Sequence, residues 1–453
     1  MRKIKTFSDT TTTRLRREPH PRRRPPPRPP RPRHPKPPNP LLSRLKRAPD
    51  AATALHLFHS SPLSISSSYP TCAALVYRLS KSRDFPTIDS LLRLIETHRV
   101  RCRETLFTSL ISLFGRSRMP DKALRLFHRL GSSFDCPNSP SVASLNALLD
   151  ALVENGRFSA AESLLGEASS LGVHPNSVSY NIVLKGACLN QGWRGAMRVF
   201  DEMLQRKVSP SVVTYNTLIG FLCKSGDLEK AMEVKRAMGT RMPNAVTYAL
   251  LMEGLCARGD YRAAEKMVFD MEYWGCKPEA VNYGVLMSDR GRRGDLEAAR
   301  GLLFEMRRRR CEPDRVNYNM LIGFYCRRGR VEEAYRVAFE EMRGAGVELD
   351  ACTYRMLVDG FCERGEFGRG LEVWEEMMKG RHCLRRESLG CLVSGLCGVG
   401  RVEDGLWVVG EMGKRGVGLD LMGWGALVGA ACGCGGVGGG GGGGGVAGIL
   451  CDL

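Results

Sequence analysis

The 453-residue chain is predicted to be all-α, an α-solenoid superhelix of tandem 35-residue helix-turn-helix repeats. Three observations predict it. The stretch VVTYNTLIGFLCKSGDLEKAMEVKRAM at Val212 has near-copies before it (SVSYNIVLKGACLN) and after it (RVNYNMLIGFYCRRGRVEEA). Aligned on the YN, units start at Tyr69, Glu104, Val142, Ser177, Val212, Ala245, Ala280, Arg315, Ala351 and Arg386, at spacings of 35, 38, 35, 35, 33, 35, 35, 36 and 35. Within a unit, two apolar stripes of helical period flank a turn whose glycine falls at position fifteen: Gly156, Gly226, Gly259, Gly294, Gly329, Gly365 and Gly400.

Each element has a physical reason. The second helix carries alanine at position twenty (Ala123, Ala161, Ala196, Ala231, Ala264, Ala299, Ala334), where two helices must approach closely. A methionine follows one or two turns later, from Met203 to Met412. Pro137, Pro175, Pro210, Pro243, Pro278 and Pro313 close their units, because proline removes an amide and stops the helix. One hairpin cannot hide its apolar face, so hairpins must stack on a shared core. Two local weaknesses are expected. Ser288, Asp289, Arg290 and Gly291 put charge where other units read GFLC or GFYC, which predicts a loose hairpin, and Leu349 and Leu384 replace the closing proline.

Around the repeats (69–420) lie a basic Pro-rich leader (1–40), a degenerate partial repeat (41–68) and a degenerate repeat with a Gly-rich tail (421–453). The formal charge of +19 is uneven. Residues 1–50 hold 16 basic against three acidic side chains, a net +13, leaving +6 for the other 403. The leader is Arg-rich, acid-poor and without an apolar core, as in an organelle transit segment, so mitochondrion is expected, with chloroplast as the alternative. Its proline density forbids a continuous helix, so it is expected to be disordered. The uncharged run from Leu421 to Leu450 is mostly glycine and supplies too little transfer energy for a membrane span.

The TYN-T-L-I opening, the LCK-x-G turn, the A-x-x-x-F/V-x-x-M second helix and the G-x-x-P-[DNS] ending resemble the pentatricopeptide repeat, in its plain organellar class. The resemblance covers Tyr69 to Asp420. It implies sequence-specific binding of single-stranded RNA, about one nucleotide per repeat, in organellar RNA metabolism (stabilisation, processing, splicing or translation). It also implies that the fifth residue of a repeat and the last residue before the next read the base, while the second packs on its face. Carried onto this chain, the readers are Thr108 with Asn138 (adenine), Asn146 with Asn176 (a pyrimidine), Asn181 with Ser211 (cytosine), Asn216 with Asn244 (a pyrimidine) and Asn319 with Asp350 (uracil). The sandwiching residues are Val178, Val213, Val246, Val281 and Val316. Ala249 with Glu279, Gly284 with Asp314, Arg355 with Arg385 and Gly390 with Asp420 depart from the usual pairs.

The residue types support that chemistry. Positions two and five lie one helical turn apart and share a face. An exposed valine can sandwich a planar base, and asparagine offers both donor and acceptor to a base edge. Asn, Ser and Asp at a helix start are equally the favoured N-caps, so both roles stand open at this point. The cluster Arg307–Arg310 can compensate a helix C-terminus or contact phosphate.

Other chemistry finds no support. Seven of the 17 cysteines (Cys188, Cys223, Cys256, Cys326, Cys362, Cys397, Cys432) recur at position twelve, as a small buried hydrophobe would, and no C-x-x-C occurs. There is no H-E-x-x-H, no phosphate loop, no deaminase signature and no nucleophile–base grouping. The chain is therefore expected to be non-catalytic, without metal or cofactor, and monomeric. Its partners would be single-stranded RNA and other organellar RNA-processing proteins. A protein-binding scaffold in an organellar ribosome or processing complex is the alternative.

Overall fold

The structure, a computed structural model, describes residues 40–61, 68–137, 140–239, 243–380 and 382–433. The leader before Pro40 and the glycine tract after Gly433 lie outside the described residues. The chain divides into two units, Met1–Arg101 and Cys102–Leu453.

In the first unit, α1 (Pro40–Arg47) and α2 (Ala51–His59) pack on each other and on α3 (Tyr69–Ser82), which pairs with α4 (Phe85–Thr97). Asp50 caps α2 by accepting the Thr53 amide at 2.6 Å. The Arg78 guanidinium of α3 donates to the carbonyls of Lys46 and Ala48, occupying acceptors that the end of α1 leaves free.

In the second unit, first and second helices alternate: α5 (Glu104–Arg116) and α6 (Pro120–Leu130), then α7 (Val142–Glu154) and α8 (Phe158–Glu167). The next pair runs together as α9 (Ser177–Gln205), interrupted at Gly192 with φ 66° and ψ −158°. There follow α10 (Val212–Lys224) and α11 (Leu228–Ala237), α12 (Ala245–Arg258) and α13 (Tyr261–Tyr273), then α14 (Ala280–Arg293) and α15 (Leu296–Arg308). The last pairs are α16 (Arg315–Arg327) and α17 (Val331–Arg336), α18 (Ala351–Glu363) and α19 (Phe367–Lys379), and α20 (Arg386–Gly398) and α21 (Val402–Gly413), before a final α22 (Leu421–Gly433).

The position-twenty alanines show why the hairpins close: all seven are 0% exposed. A larger side chain there would overpack the crossing by about 1–3 kcal/mol. Met203, Met238, Met271, Met306, Met377 and Met412 are likewise buried, and one apolar cluster runs without a break from Ile219 to Leu427. The turn glycines all take positive φ, between 71° and 88°, which explains their residue type. In the two earliest full repeats that place falls to Arg83 (φ 55°) and Arg118 (φ 57°), which bear the strain of a side chain in the left-handed region.

Length variation is absorbed locally. The 36-residue unit continues α17 as a π-helical stretch, Val337–Met342, which takes up one extra residue. The 33-residue unit has a short second helix, α11, and the 38-residue unit lengthens the connection between α6 and α7.

The layers pack unequally. Each first helix packs on the first helices of neighbouring repeats, whereas second helices do their helix packing with first helices. The tighter layer is the inner layer of a curved stack, so first helices line the inside of this unit. Across the wider outer spacing reach long ion pairs: Arg157–Asp121 at 2.7 Å, Arg309–Glu272 at 2.8 Å, Arg330–Glu297 at 2.9 Å, Arg343–Glu376 at 3.0 Å and Arg369–Glu332 at 3.2 Å. Apart from Arg309, whose side chain is largely covered, these arginines face solvent, where such pairs are individually weak and screened by salt.

The loose hairpin expected at Ala280 is not loose. α14 is unbroken, buried Asp289 pairs with Arg293 at 2.7 Å, and Arg290 donates to Glu265 at 2.7 Å and to the Ala298 carbonyl at 3.0 Å. Gly291 leaves the space that the Phe324 ring fills, since an added Cβ would sit 2.2 Å from that ring. Leu349 and Leu384, in place of proline, are buried.

Candidate nucleic-acid interface

The site is built at the N-terminal turns of the inner helices. Asn176, Ser211, Asn244, Asp314 and Asp350 are N-caps of α9, α10, α12, α16 and α18, each closing a capping box with the residue three later. The capping role is therefore real. It also holds the last residue of one repeat against the fifth residue of the repeat before it. The Asn181 amide donates to Ser211 Oγ, that of Asn216 to Asn244 Oδ1 and that of Asn319 to Asp350 Oδ1, each at 3.3 Å. Three of the five expected pairs thus meet directly. Asn146 and Asn176 meet through Ser179, whose hydroxyl lies 2.6 Å from Asn146 Oδ1 and 3.2 Å from Asn176 Oδ1.

Asn138 lies outside the described residues. The N-cap of α7, the place equivalent to Asn176, is held by Ser141, whose amide also donates to Glu104 at 2.8 Å. Thr108 turns its hydroxyl onto the Glu104 carbonyl of its own helix at 3.1 Å.

A third residue, unread as a site from sequence, aims the fifth. The position-three hydroxyl of the following repeat, fully buried, donates to the asparagine oxygen: Ser179 to Asn146 at 2.6 Å, Thr214 to Asn181 at 2.6 Å, Thr247 to Asn216 at 2.7 Å and Thr353 to Asn319 at 2.6 Å. The same hydroxyls accept the cap residue's own amide, as Thr214 does from Ser211 at 2.9 Å. With the oxygen satisfied from inside, each of half-buried Asn181, Asn216 and Asn319 directs Nδ2 to the cap residue and keeps one N–H over. The signal was in the sequence: the residue just before the tyrosine of the following repeat is Ser or Thr, as Ser179, Thr214, Thr247 and Thr353.

Two of the departing repeats follow the opposite rule. Where position five is Ala249 or Gly284, position three of the next repeat is Asn282 or Asn317, whose Nδ2 donates to the backbone carbonyl of Ala245 (2.8 Å) or Ala280 (3.1 Å). The larger residue fills the space the smaller one leaves, and no amide is presented. At Gly390 the Asp420 carboxylate takes that space, 2.5 Å from where a Cβ would be.

Val178, Val213, Val246, Val281 and Val316 are exposed by 43–63%, although valine at repeated positions usually builds core. They form an apolar row one helical turn from position five, which is asparagine after Val178, Val213 and Val316. On the same face, near the helix ends, Lys224, Arg292 and Arg327 are exposed. The Arg307–Arg310 cluster belongs elsewhere: Arg307 donates to the Tyr318 hydroxyl, and Arg309 sits between Glu272 and Glu305 at 2.8 and 3.1 Å.

Burial acts to raise the Asp350 carboxyl, but the Thr353 amide and hydroxyl and the Asn319 amide outweigh it, leaving the group below the usual carboxylate range. Burial pushes the thiols of Cys188, Cys223 and Cys256 up to about 11 and those of Cys326 and Cys362 to about 12. Of the position-twelve cysteines described, all but half-buried Cys362 are buried.

Family models match nearly every repeat of this array. The PPR repeat family model matches residues 243–290 and 313–363, the pentatricopeptide repeat domain model 138–190, 163–225 and 290–328, and the PPR repeat model 105–133, 213–241, 352–382 and 387–417. The chain belongs to the pentatricopeptide repeat family. Similar curated proteins are pentatricopeptide repeat-containing proteins of Arabidopsis thaliana. One named as mitochondrial is 43% identical over 139 residues, 30% of this chain and 30% of that protein. Another named as mitochondrial is 28% identical over 154 residues, 33% of this chain and 28% of its own length. This pentatricopeptide repeat chain thus spans less than a third of each of these two relatives. Among solved structures, pentatricopeptide repeat protein PPR10 from maize is 18% identical with a TM-score of 0.40, covering 87% of this chain and 66% of that one. PPR10 in complex with an 18-nt psaJ RNA element is 23% identical with a TM-score of 0.43, covering 91% and 62%. Among the described residues no helix is long and apolar enough to cross a membrane.

Proposed function

We propose that this pentatricopeptide repeat protein is a non-catalytic, sequence-specific binder of single-stranded RNA in mitochondrial RNA metabolism, taking about one nucleotide per repeat. The observation that carries the reading is the repeated triad of an oriented amide, a capping side chain at 3.3 Å and an exposed valine. Capping alone needs neither the amide nor the valine. Each valine would cover a base face, and the free N–H of Asn181, Asn216 or Asn319 would meet an acceptor on the base edge. The exposed Lys224, Arg292 and Arg327 would meet phosphates, and with a body of +6 this term is modest.

By the family's pairings, the readers call for A-Y-C-Y-N-N-U in chain order, the two N falling at Ala249 and Gly284. The test is binding of the full chain to that RNA, in both strand directions, against a scrambled RNA at stated salt. A preference of tenfold or more is expected. Equal affinity, or retention of organellar protein with no RNA shift, refutes base reading and favours a scaffold. The mitochondrial address rests on the Arg-rich leader and the names of the relatives, and a fluorescent reporter fused to residues 1–50 tests it.

A further inference from the structure

The first unit contains a groove of about 930 Å³ that the base-reading scheme leaves unused. It lies between α1 and α3 and is lined by Leu42, Leu45, Pro70, Ala73, Tyr77 and Lys81 among others. On α3, Pro70, Ala73, Tyr77 and Lys81 stand at positions two, five, nine and thirteen of the repeat that starts at Tyr69. This is the helix face that carries valine and asparagine in the second unit. Here the second and fifth residues have no side-chain hydrogen-bonding group, so no base edge can be read. Position nine is instead aromatic, against Ser112, Asp150, Lys185, Gly220, Glu253, Ser288, Gly323, Asp359 and Ser394 in the other repeats.

The Tyr77 ring is 63% exposed, a large apolar surface to leave in water. The Lys81 ammonium lies 4.9 Å from its centroid, and Lys46 is exposed on the opposite wall. Arg78 pins the walls together through the Lys46 and Ala48 carbonyls, and the Asp50 carboxylate is committed to capping α2. The groove is therefore held open and cationic at its rim, with an aromatic face inside.

We propose that this groove stacks one unpaired nucleobase of the bound RNA on Tyr77, with Lys81 and Lys46 against the flanking phosphate. The site rests on the RNA-binding reading above and deepens it. It selects no sequence, because every base has a π-face; it anchors the strand beyond the bases that are read.

The test uses the full chain and an RNA of the read sequence extended beyond the adenine assigned to Thr108 by a series of tails of increasing length, with 2-aminopurine as the extension base. The extension is expected to tighten binding about tenfold with little dependence on its base, and 2-aminopurine fluorescence is expected to be quenched on binding. Tyr77→Ala removes both effects, Tyr77→Phe keeps them and Lys81→Gln weakens the gain, while the unextended RNA binds all four proteins alike. Because Tyr77 is solvent-exposed, the alanine variant should fold, which circular dichroism checks. If the extension adds nothing and stays fluorescent while the core RNA still binds, the stacking site is wrong and the base-reading scheme stands. If the core RNA does not bind, both fall. An extension bound as tightly by Tyr77→Ala also overturns the assignment.

Discussion

Replacing Thr214 by valine keeps the shape of a fully buried side chain and removes only its hydroxyl. In the structure that hydroxyl donates to Asn181 Oδ1 at 2.6 Å and accepts the Ser211 amide at 2.9 Å. Each bond is worth about 0.5–1.5 kcal/mol net, and a buried partner left unsatisfied costs about 1–3 kcal/mol. Asn181 is half-buried and can turn its oxygen toward water, so the total falls at about 1–3 kcal/mol, concentrated in the first turn of α10. Loss of amide orientation costs one base-edge hydrogen bond, about 2- to 12-fold in affinity at the nucleotide assigned to Asn181. Stability is read by hydrogen exchange at the α10 N-terminus, because a repeat array does not melt as one unit. Base discrimination is read by exchanging that cytosine for each other base. The double variant Asn181→Ala with Thr214→Asn copies the natural pair Ala249 and Asn282, so it should recover the exchange protection and still discriminate no base. A Thr214→Val protein that keeps both its protection and full discrimination for cytosine would refute the idea that the position-three hydroxyl aims the amide.

Three further outcomes follow from the same geometry. Arg118→Gly should stabilise its hairpin by about 1 kcal/mol in denaturant unfolding, by relieving a left-handed residue at φ 57°, whereas Gly259→Ala, at φ 85°, should cost about as much. The Asp350 carboxyl sits below its ordinary value of 3.8 in the folded chain, so its stabilisation is fully present above that pH and is lost as pH falls through the lower folded value. Wild type and Asp350→Asn should accordingly differ in stability by a constant amount above about pH 5 and converge below pH 3.8. At pH 8 a maleimide should label exposed Cys352 quickly and leave Cys188, Cys223 and Cys256 unmodified until the chain unfolds, read by mass spectrometry.

Period, helix type and turn chemistry were legible in the sequence because they are local. A glycine at a positive φ, an alanine at a helix crossing and a capping residue before a helix each act within a few residues and recur every 35. The fifth-position asparagines could be listed for the same reason, but their orientation could not, since Thr214 acts on Asn181 from 33 residues away across a repeat boundary. The loose hairpin expected at Ser288–Gly291 failed on similar grounds. Asp289 is paired within its own helix by Arg293, but Arg290 and Gly291 look wrong there and become right only beside Glu265 and Phe324 of the neighbouring repeats. Arg309 was ambiguous until Glu272 of the preceding repeat stood 2.8 Å from it. The amino-acid order alone thus determined that hairpins form and how often. Only tertiary stacking decided which polar groups are satisfied inside and which remain to meet a ligand, because that choice depends on partners one repeat away in sequence and in contact only once the helices pack.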